Sequence, residues 1–164
     1  MRFMTAPIFV DTNVLVYARD SGETRRQPLA QAWLEWLWAE RLGRTGMQVL
    51  SEYYVTVTRK LKPGLTEEDA WDDIEALLCW QPQPVDHPTM TRARIIQTRY
   101  RLSWWDSLVL AAAREQGCAV LLTEDLQDGA LIDGVRIRSP FSYSAQEAAA
   151  ETYGRGGGGR KRRA

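Results

Sequence analysis

The sequence predicts an α/β domain in which a central parallel sheet of four or five strands carries helices on both faces. Short apolar runs of strand length alternate with longer segments whose apolar residues recur at helical spacing. That order builds parallel strands joined by helical crossovers. Several of the apolar runs also lead straight into an acid, as in Ile8-Phe9-Val10-Asp11, so acids gather along one edge of such a sheet. A chain of 164 residues fits one domain and can bury a core without disulfide or metal staples.

In chain order, Ala6 to Asp11 reads as a short buried strand and Asn13 to Asp20 as the helix after it. Gln27 to Leu42 has the apolar spacing of a long helix. Gly43 and Gly46 then break the chain ahead of a strand expected at Met47 to Leu50. Ser51 opens a helix to about Leu61, ended by Pro63-Gly64. Thr66 caps a helix from Glu67 to Trp80, with Asp69 three residues on completing a capping box. Val85-Asp86 fits a minimal strand. Thr89 to Tyr100 and Trp104 to Gln116 read as two more helices, the second stopped by Gly117. Ala119 to Thr123 and Val135 to Arg138 complete the strands. With right-handed crossovers, the ends of the first, second and fourth strands line one edge.

Four acids fall at or beside that edge: Asp11, Glu52 in Val49-Leu50-Ser51-Glu52, Asp106 in Ser103-Trp104-Trp105-Asp106, and Asp125 in Leu121-Leu122-Thr123-Glu124-Asp125. Each has an ordinary explanation when taken alone. Asp11 and Asn13 suit a helix N-cap, and Glu52 complements a helix dipole. Asp106 stands at capping-box distance from Ser103, and Asp125 precedes a turn at Gly129. Together, four carboxylates on one edge would repel strongly without a cation, so their coexistence argues for a metal. With oxygen ligands alone, that metal is Mg²⁺ or Mn²⁺. The one histidine, His87, sits in an expected loop outside these motifs; a Ser-His-Asp triad would depend on it alone and no nucleophile elbow is present, while one His and two Cys are too few for a Cys/His zinc site. Neither a P-loop nor a dinucleotide fingerprint is present.

The four motifs in this order resemble the PIN-domain ribonucleases, most closely the VapC-type toxins of bacterial toxin–antitoxin pairs, over roughly residues 7 to 143. The resemblance implies a PIN-like three-layer sandwich and a Mg²⁺- or Mn²⁺-dependent endoribonuclease that leaves 5′-phosphate and 3′-hydroxyl ends. It makes Asp11, Glu52, Asp106 and Asp125 the catalytic set, with the cation held mainly by Asp11 and Asp106 and with Asp125 beside them. Asn13 and Thr123 have the side chains to orient a ligand carboxylate or a water. Asp128 is a further candidate ligand, ranked below Asp125 because Thr-x-Asp directly after the strand is the better family match. The implied partners are RNA and a cognate antitoxin protein. A haloacid-dehalogenase phosphatase also begins with a strand ending on Asp, but its second acid is Asn13 here and no later Gly-Asp-x-x-x-Asp follows. A catalytically inactive PIN-like RNA-binding module is the other alternative.

Arg59 lies seven residues beyond Glu52, on the same face of one helix, and is a candidate for phosphate contact or for a cation at a helix C-terminus. On the helix from Gln27 to Leu42, Leu29, Trp33, Trp36 and Leu37 form one apolar stripe, and Ala30, Leu34, Trp38 and Leu42 a second. One stripe suffices for a core, so the second is assigned to a homodimer or antitoxin surface, the alternative being a wide core contact. One of Trp104 and Trp105 is expected in the core, and the other can stack on a base. Two cysteines, Cys79 and Cys118, no visible secretory signal and no membrane-length apolar run point to a cytoplasmic protein. The zero net charge conceals a basic end. Residues 1–150 are assigned to the PIN domain and 151–164 to a disordered Gly/Arg-rich tail; its stretch 154–164 has five basic residues and no acid, and outside that stretch the chain is at −5. The tail reads as a solubilising end or as an arm for polyanions.

Overall fold

The computed structural model describes residues 6–154. Strand β1 (Ile8–Val10) leads into α1 (Thr12–Arg19) and α2 (Arg26–Glu40), then β2 (Gly43–Arg44) and α3 (Met47–Val55). A π-helical turn at Thr56–Lys60, α4 (Glu67–Leu77) and a 3₁₀ turn at Leu78–Trp80 follow. Then come α5 (His87–Tyr100), α6 (Trp104–Glu115), β3 (Val120–Leu122), β4 (Leu131–Ile132), β5 (Val135–Arg138) and α7 (Ala145–Gly154).

The five strands lie in the order β2-β1-β3-β5-β4, all parallel except β4, which runs antiparallel to β5. The connection from β1 to β2 moves one way along the sheet, and the connection from β2 to β3 moves back past β1. Right-handed crossovers therefore put α1–α2 and α6 on opposite faces, and the order reverses at β1. Phe9, Val10, Leu121, Leu122 and Ile137 are fully buried, as continuous apolar strands between two helical layers must be.

Met47 to Leu50 is helical, and the second strand is Gly43–Arg44 instead. Val49, Leu50, Tyr53 and Val57 are buried and share one helical face, which outweighs the short-range alternation that suggests a strand. The helix has no side-chain N-cap: Met47 N donates to the Gln83 carbonyl at 2.9 Å, a partner from a distant segment. Residues 85–86 form no strand, because the Asp86 carboxylate caps α5 by accepting from Thr89 N at 3.0 Å. His87 accordingly opens α5 and is not in a loop. Beyond the expected elements are β4 and α7. Helix α7 runs through Gly154, past the domain boundary drawn at residue 150, and the rest of the basic tail lies outside the described residues.

The apolar surplus on α2 is largely used within the chain. Ala30, Trp33 and Leu37 are its buried face, a set that cuts across both expected stripes. Trp33 Nε1 donates to the carbonyls of Pro140 and Tyr143 at 3.1 and 3.0 Å, and Trp36 packs edge-on against Trp33. Helix α7 packs on the same helix, and of the stripe assigned to a partner Ala30 is buried while Leu34 and Leu42 pack against the core. Trp38 stays 40% exposed and leans on Trp80, with ring centroids 5.0 Å apart. Among the described residues no helix is long and apolar enough to cross a membrane.

Trp80 seals the edge of β2 because residue 43 has no side chain. A Cβ at Gly43 would meet the Trp80 ring at 2.4 Å. Gly43→Ala should therefore cost about 1–3 kcal/mol in urea unfolding. A loss under about 0.5 kcal/mol would show that the Trp80 contact is not tight.

Candidate active site

The site begins with strand register. Val10 lies opposite Leu122, and the ladder continues one step further with Asp11 N donating to the Leu122 carbonyl at 3.1 Å. Asp11 and Thr123 therefore emerge side by side at the carboxyl ends of β1 and β3, where the strand order reverses. That crevice is the usual ligand position in an open α/β sheet.

Asp11 is buried and caps α1. Its Oδ1 accepts from Thr12 N at 2.8 Å, and its Oδ2 accepts from Thr123 Oγ1 at 2.8 Å. The Asn13 amide reaches Asp11 Oδ2 at 3.5 Å, Thr123 Oγ1 at 3.0 Å and Asp125 Oδ2 at 3.1 Å. Two N–H groups are shared among three acceptors, so Asn13 ties the two aspartates to one hub. Asp125 N also donates to Thr123 Oγ1, at 3.1 Å. Glu52 joins from α3: its Oε2 accepts from Thr12 Oγ1 at 3.2 Å and its Oε1 from Gln48 Nε2 at 3.1 Å. Thr12 and Gln48 went unnoticed in the sequence. Gln48 stands four residues before Glu52, a signal that the mistaken strand at Met47 to Leu50 concealed.

Burial pushes the Asp11 carboxyl up to about 6. The Thr123 and Thr12 hydrogen bonds pull it back, and the charges of Asp125 and Glu52 raise it further. The donor set at this edge is oxygen only, which suits a hard cation. Among the described residues, however, no three His, Cys, Asp or Glu side chains converge closely enough to hold a metal ion as they stand.

The remaining candidates are placed less uniformly. Asp106 is half-buried in the first turn of α6, where its N–H donates to Ser103 Oγ at 3.1 Å. Its carboxylate makes no hydrogen bond or ion pair with the other three acids. The connection from α6 to β3 is four residues long, so α6 runs back along the sheet and its first turn lies toward the end where Thr123 and Asp125 follow β3. Asp128 belongs to a different structure: it accepts from Ser139 N and Ser142 Oγ, both at 2.9 Å, and the Ser139 bond holds its carboxyl below the usual range. Arg59 has left the line of Glu52, because the π turn winds more slowly per residue than an α-helix. It pairs with Glu67 at 3.1 Å on the open surface.

Fold and edge together define a class: an α/β domain whose carboxylates collect at the switch point of its sheet. A protein-family model for the PIN domain matches residues 8–127, and the chain belongs to that family. Among solved structures, it is similar to a chain of the FitAB complex bound to a DNA fragment, with TM-score 0.63 and 20% identity, covering 82% of this chain and 95% of that one. It is also similar to the Mycobacterium tuberculosis toxin VapC20, which cleaves the sarcin-ricin loop, with TM-score 0.58, 23% identity and coverages of 79% and 98%. A third likeness is to a toxin–antitoxin complex from Klebsiella pneumoniae, with TM-score 0.57, 20% identity and coverages of 82% and 98%. At these identities the likeness is one of fold. Comparison with curated proteins gives no significant match.

The raised Asp11 value fixes a pH dependence for the metal-free protein. The unfolded carboxyl ionises near 4, the folded one near 6. Stability is thus fully present below about 4 and is lost as pH rises through about 6, by on the order of 3 kcal/mol. Asp11→Asn should be more stable than the parent in EDTA at pH 8, by about 1–2 kcal/mol once weaker hydrogen bonds are counted, and should show no advantage at pH 4. Urea titrations across that range check this; an advantage independent of pH would show that Asp11 ionises normally.

Proposed function

We propose that this chain is a divalent-metal-dependent endoribonuclease and the toxin member of a toxin–antitoxin pair. The observation that carries the reading is a buried carboxylate, Asp11, kept at the switch point with Asp125 and Glu52 acting on it electrostatically. A group held this way is destabilising until a cation or proton arrives. The PIN family membership and the toxin–antitoxin neighbours support the same reading.

In this proposal Asp11, Asp106 and Asp125 hold Mg²⁺ or Mn²⁺, with Glu52 beside them. When bound, the ion supplies a water of lowered pKa and offsets negative charge on the phosphate oxygens. Asn13 and Thr123 orient Asp11 and Asp125. Thr12 and Gln48 hold the Glu52 carboxylate on both oxygens, where it can accept the proton the water loses. Attack of that water on phosphorus with breakage of the bond to the 3′ oxygen would leave a 5′-phosphate and a 3′-hydroxyl, the leaving oxygen taking a proton from solvent and Glu52 returning its own to solvent. Arg59 is a phosphate contact only after leaving Glu67, which an exposed ion pair permits at little cost. RNA as substrate places the work of the protein in the cytoplasm. An inactive RNA-binding module is the second reading, and it draws on the Asp106 carboxylate being unlinked to the other three acids.

Asp11→Asn and Asp106→Asn should each lower RNA cleavage by at least about a hundredfold while the protein stays folded, and EDTA should stop the parent. Ca²⁺ should bind and support little reaction, because its looser geometry holds water less rigidly. Gel assays with purified variants decide it. Near-parental cleavage by either variant, or full activity in EDTA, would sink the assignment.

For the antitoxin, the groove of about 300 Å³ bordered by Leu34, Trp38, Tyr53 and Leu77 is the surface we favour. A concave site takes a convex segment from another chain more readily than it pairs with its own copy across a two-fold axis. Trp38→Glu should weaken, by tenfold or more, binding to the product of a small open reading frame beside this gene. Light scattering on the same variant tests the homodimer: a dimeric parent that becomes monomeric assigns Trp38 to self-association instead.

A further inference from the structure

Three tryptophans are strongly exposed, and two have partners. Trp38 leans on Trp80, while Trp71 sits edge-on to Tyr54 and donates Nε1 to Glu75 at 3.3 Å. Trp105 is 62% exposed, and its indole has no hydrogen bond or ring contact among the described residues. Its neighbour Trp104 packs against the core, so the adjacent pair divides into one anchor and one free ring. Trp105 directly precedes Asp106, at the end of α6 that lies toward the acidic edge.

The corner carrying Trp105 is rigid. Arg101 closes α5 in the left-handed region, at φ 53. Ser103 then caps α6: its Oγ accepts from Asp106 N at 3.1 Å, and its carbonyl accepts from Ser107 N and Ser107 Oγ at 3.0 and 2.7 Å. Trp105 is thus displayed from the first helical turn by a fixed backbone, and little entropy is lost when a ligand settles on it. The corner is also basic. Arg101 is exposed and makes no ion pair or hydrogen bond among the described residues, and Arg99 stacks on Tyr100 at 5.4 Å with no carboxylate partner. Two arginines four and six residues before a bare indole, with no carboxylate partner among the described residues, are complementary to a base and its phosphate.

We propose that Trp105 and Arg101 form a nucleotide clamp beside the acidic edge: the indole stacks one face of an unpaired base and the guanidinium meets the adjoining phosphate. The inference rests on the ribonuclease reading and narrows its substrate class. A base inside a duplex has both faces covered, so a stacking platform selects single strands, loops and bulges.

The test uses protein carrying Asp11→Asn, so that RNA is bound without being cut. Anisotropy is read on a short labelled single strand and on the same strand annealed to its complement. The single strand should bind better than the duplex. Trp105→Ala should weaken single-strand binding about ten- to hundredfold and leave the salt dependence alone, and Trp105→Phe should restore most of it. Arg101→Ala should weaken it less and lower the slope of log affinity against log salt by about 0.7, the share of one phosphate contact. In otherwise unmodified enzyme, Trp105→Ala should alter the preferred cleavage positions. Unchanged affinity and cleavage positions in Trp105→Ala would overturn the clamp, and a change in mass by light scattering in that same variant would assign the indole to a protein interface. If the unmodified chain cleaves no RNA and its Asp11→Asn form binds none, the ribonuclease reading fails, and the clamp with it. If it cleaves RNA while Trp105→Ala is indistinguishable from it, only the clamp fails.

Discussion

Much of this structure depends on one buried carboxylate at the end of a three-residue strand. Asp11 caps α1, accepts the Thr123 hydroxyl from β3 and shares the Asn13 amide with Asp125. Remove the β1–β3 register and the hub dissolves, because Asp11 and Thr123 are neighbours only while Val10 stays opposite Leu122. Burial disfavours the ionised form of this same residue, and its two hydrogen bonds recover only part of that cost. A sheet edge built around such a group stores a demand for positive charge, and the proposed cation answers it.

The two halves of the domain serve that edge differently. Helices α1 and α3 bring Thr12, Gln48 and Glu52 into a set of direct hydrogen bonds. The α5–α6 hairpin contributes Asp106 from a rigid capped corner without linking it to the others. One side is preassembled and the other approaches it, an arrangement suited to a ligand that completes the set. The segment after β5 adds a structural point: Pro140 and Tyr143 hold the Trp33 indole, while Trp38 stays partly exposed at the rim of the groove between α2 and α4.

How much was legible follows from how local each signal is. Asp11, Thr123 and Asp125 could be placed because apolar strands ending in polar residues announce a sheet edge, and register then brings them together. Thr66, Ser103 and the strand at Val135–Arg138 were readable for the same local reason. The start of α3 was not, since its first N–H is satisfied by Gln83, a residue no local pattern connects to it. Strand β4 is two residues long, and α7 is alanine-rich with little apolar periodicity, so neither stands out. Arg59 was misplaced because a π turn changes the helical register without a composition cue. The stripes on α2 were visible, but the groups that meet them, Pro140 and Tyr143 at Trp33 and Trp80 at Trp38, come from segments that no local pattern connects to that helix.

The measurement that bears most directly on the central claim is the affinity of the metal-free protein for Mn²⁺ as a function of pH, by calorimetry. If Asp11 must be ionised to hold the cation, affinity should be flat above about pH 7 and fall about tenfold per pH unit below about 6, with a proton released on binding near the midpoint. Asp11→Asn should abolish this binding. Mn²⁺ binding that ignores pH between 5 and 8, or that survives Asp11→Asn, would contradict the account.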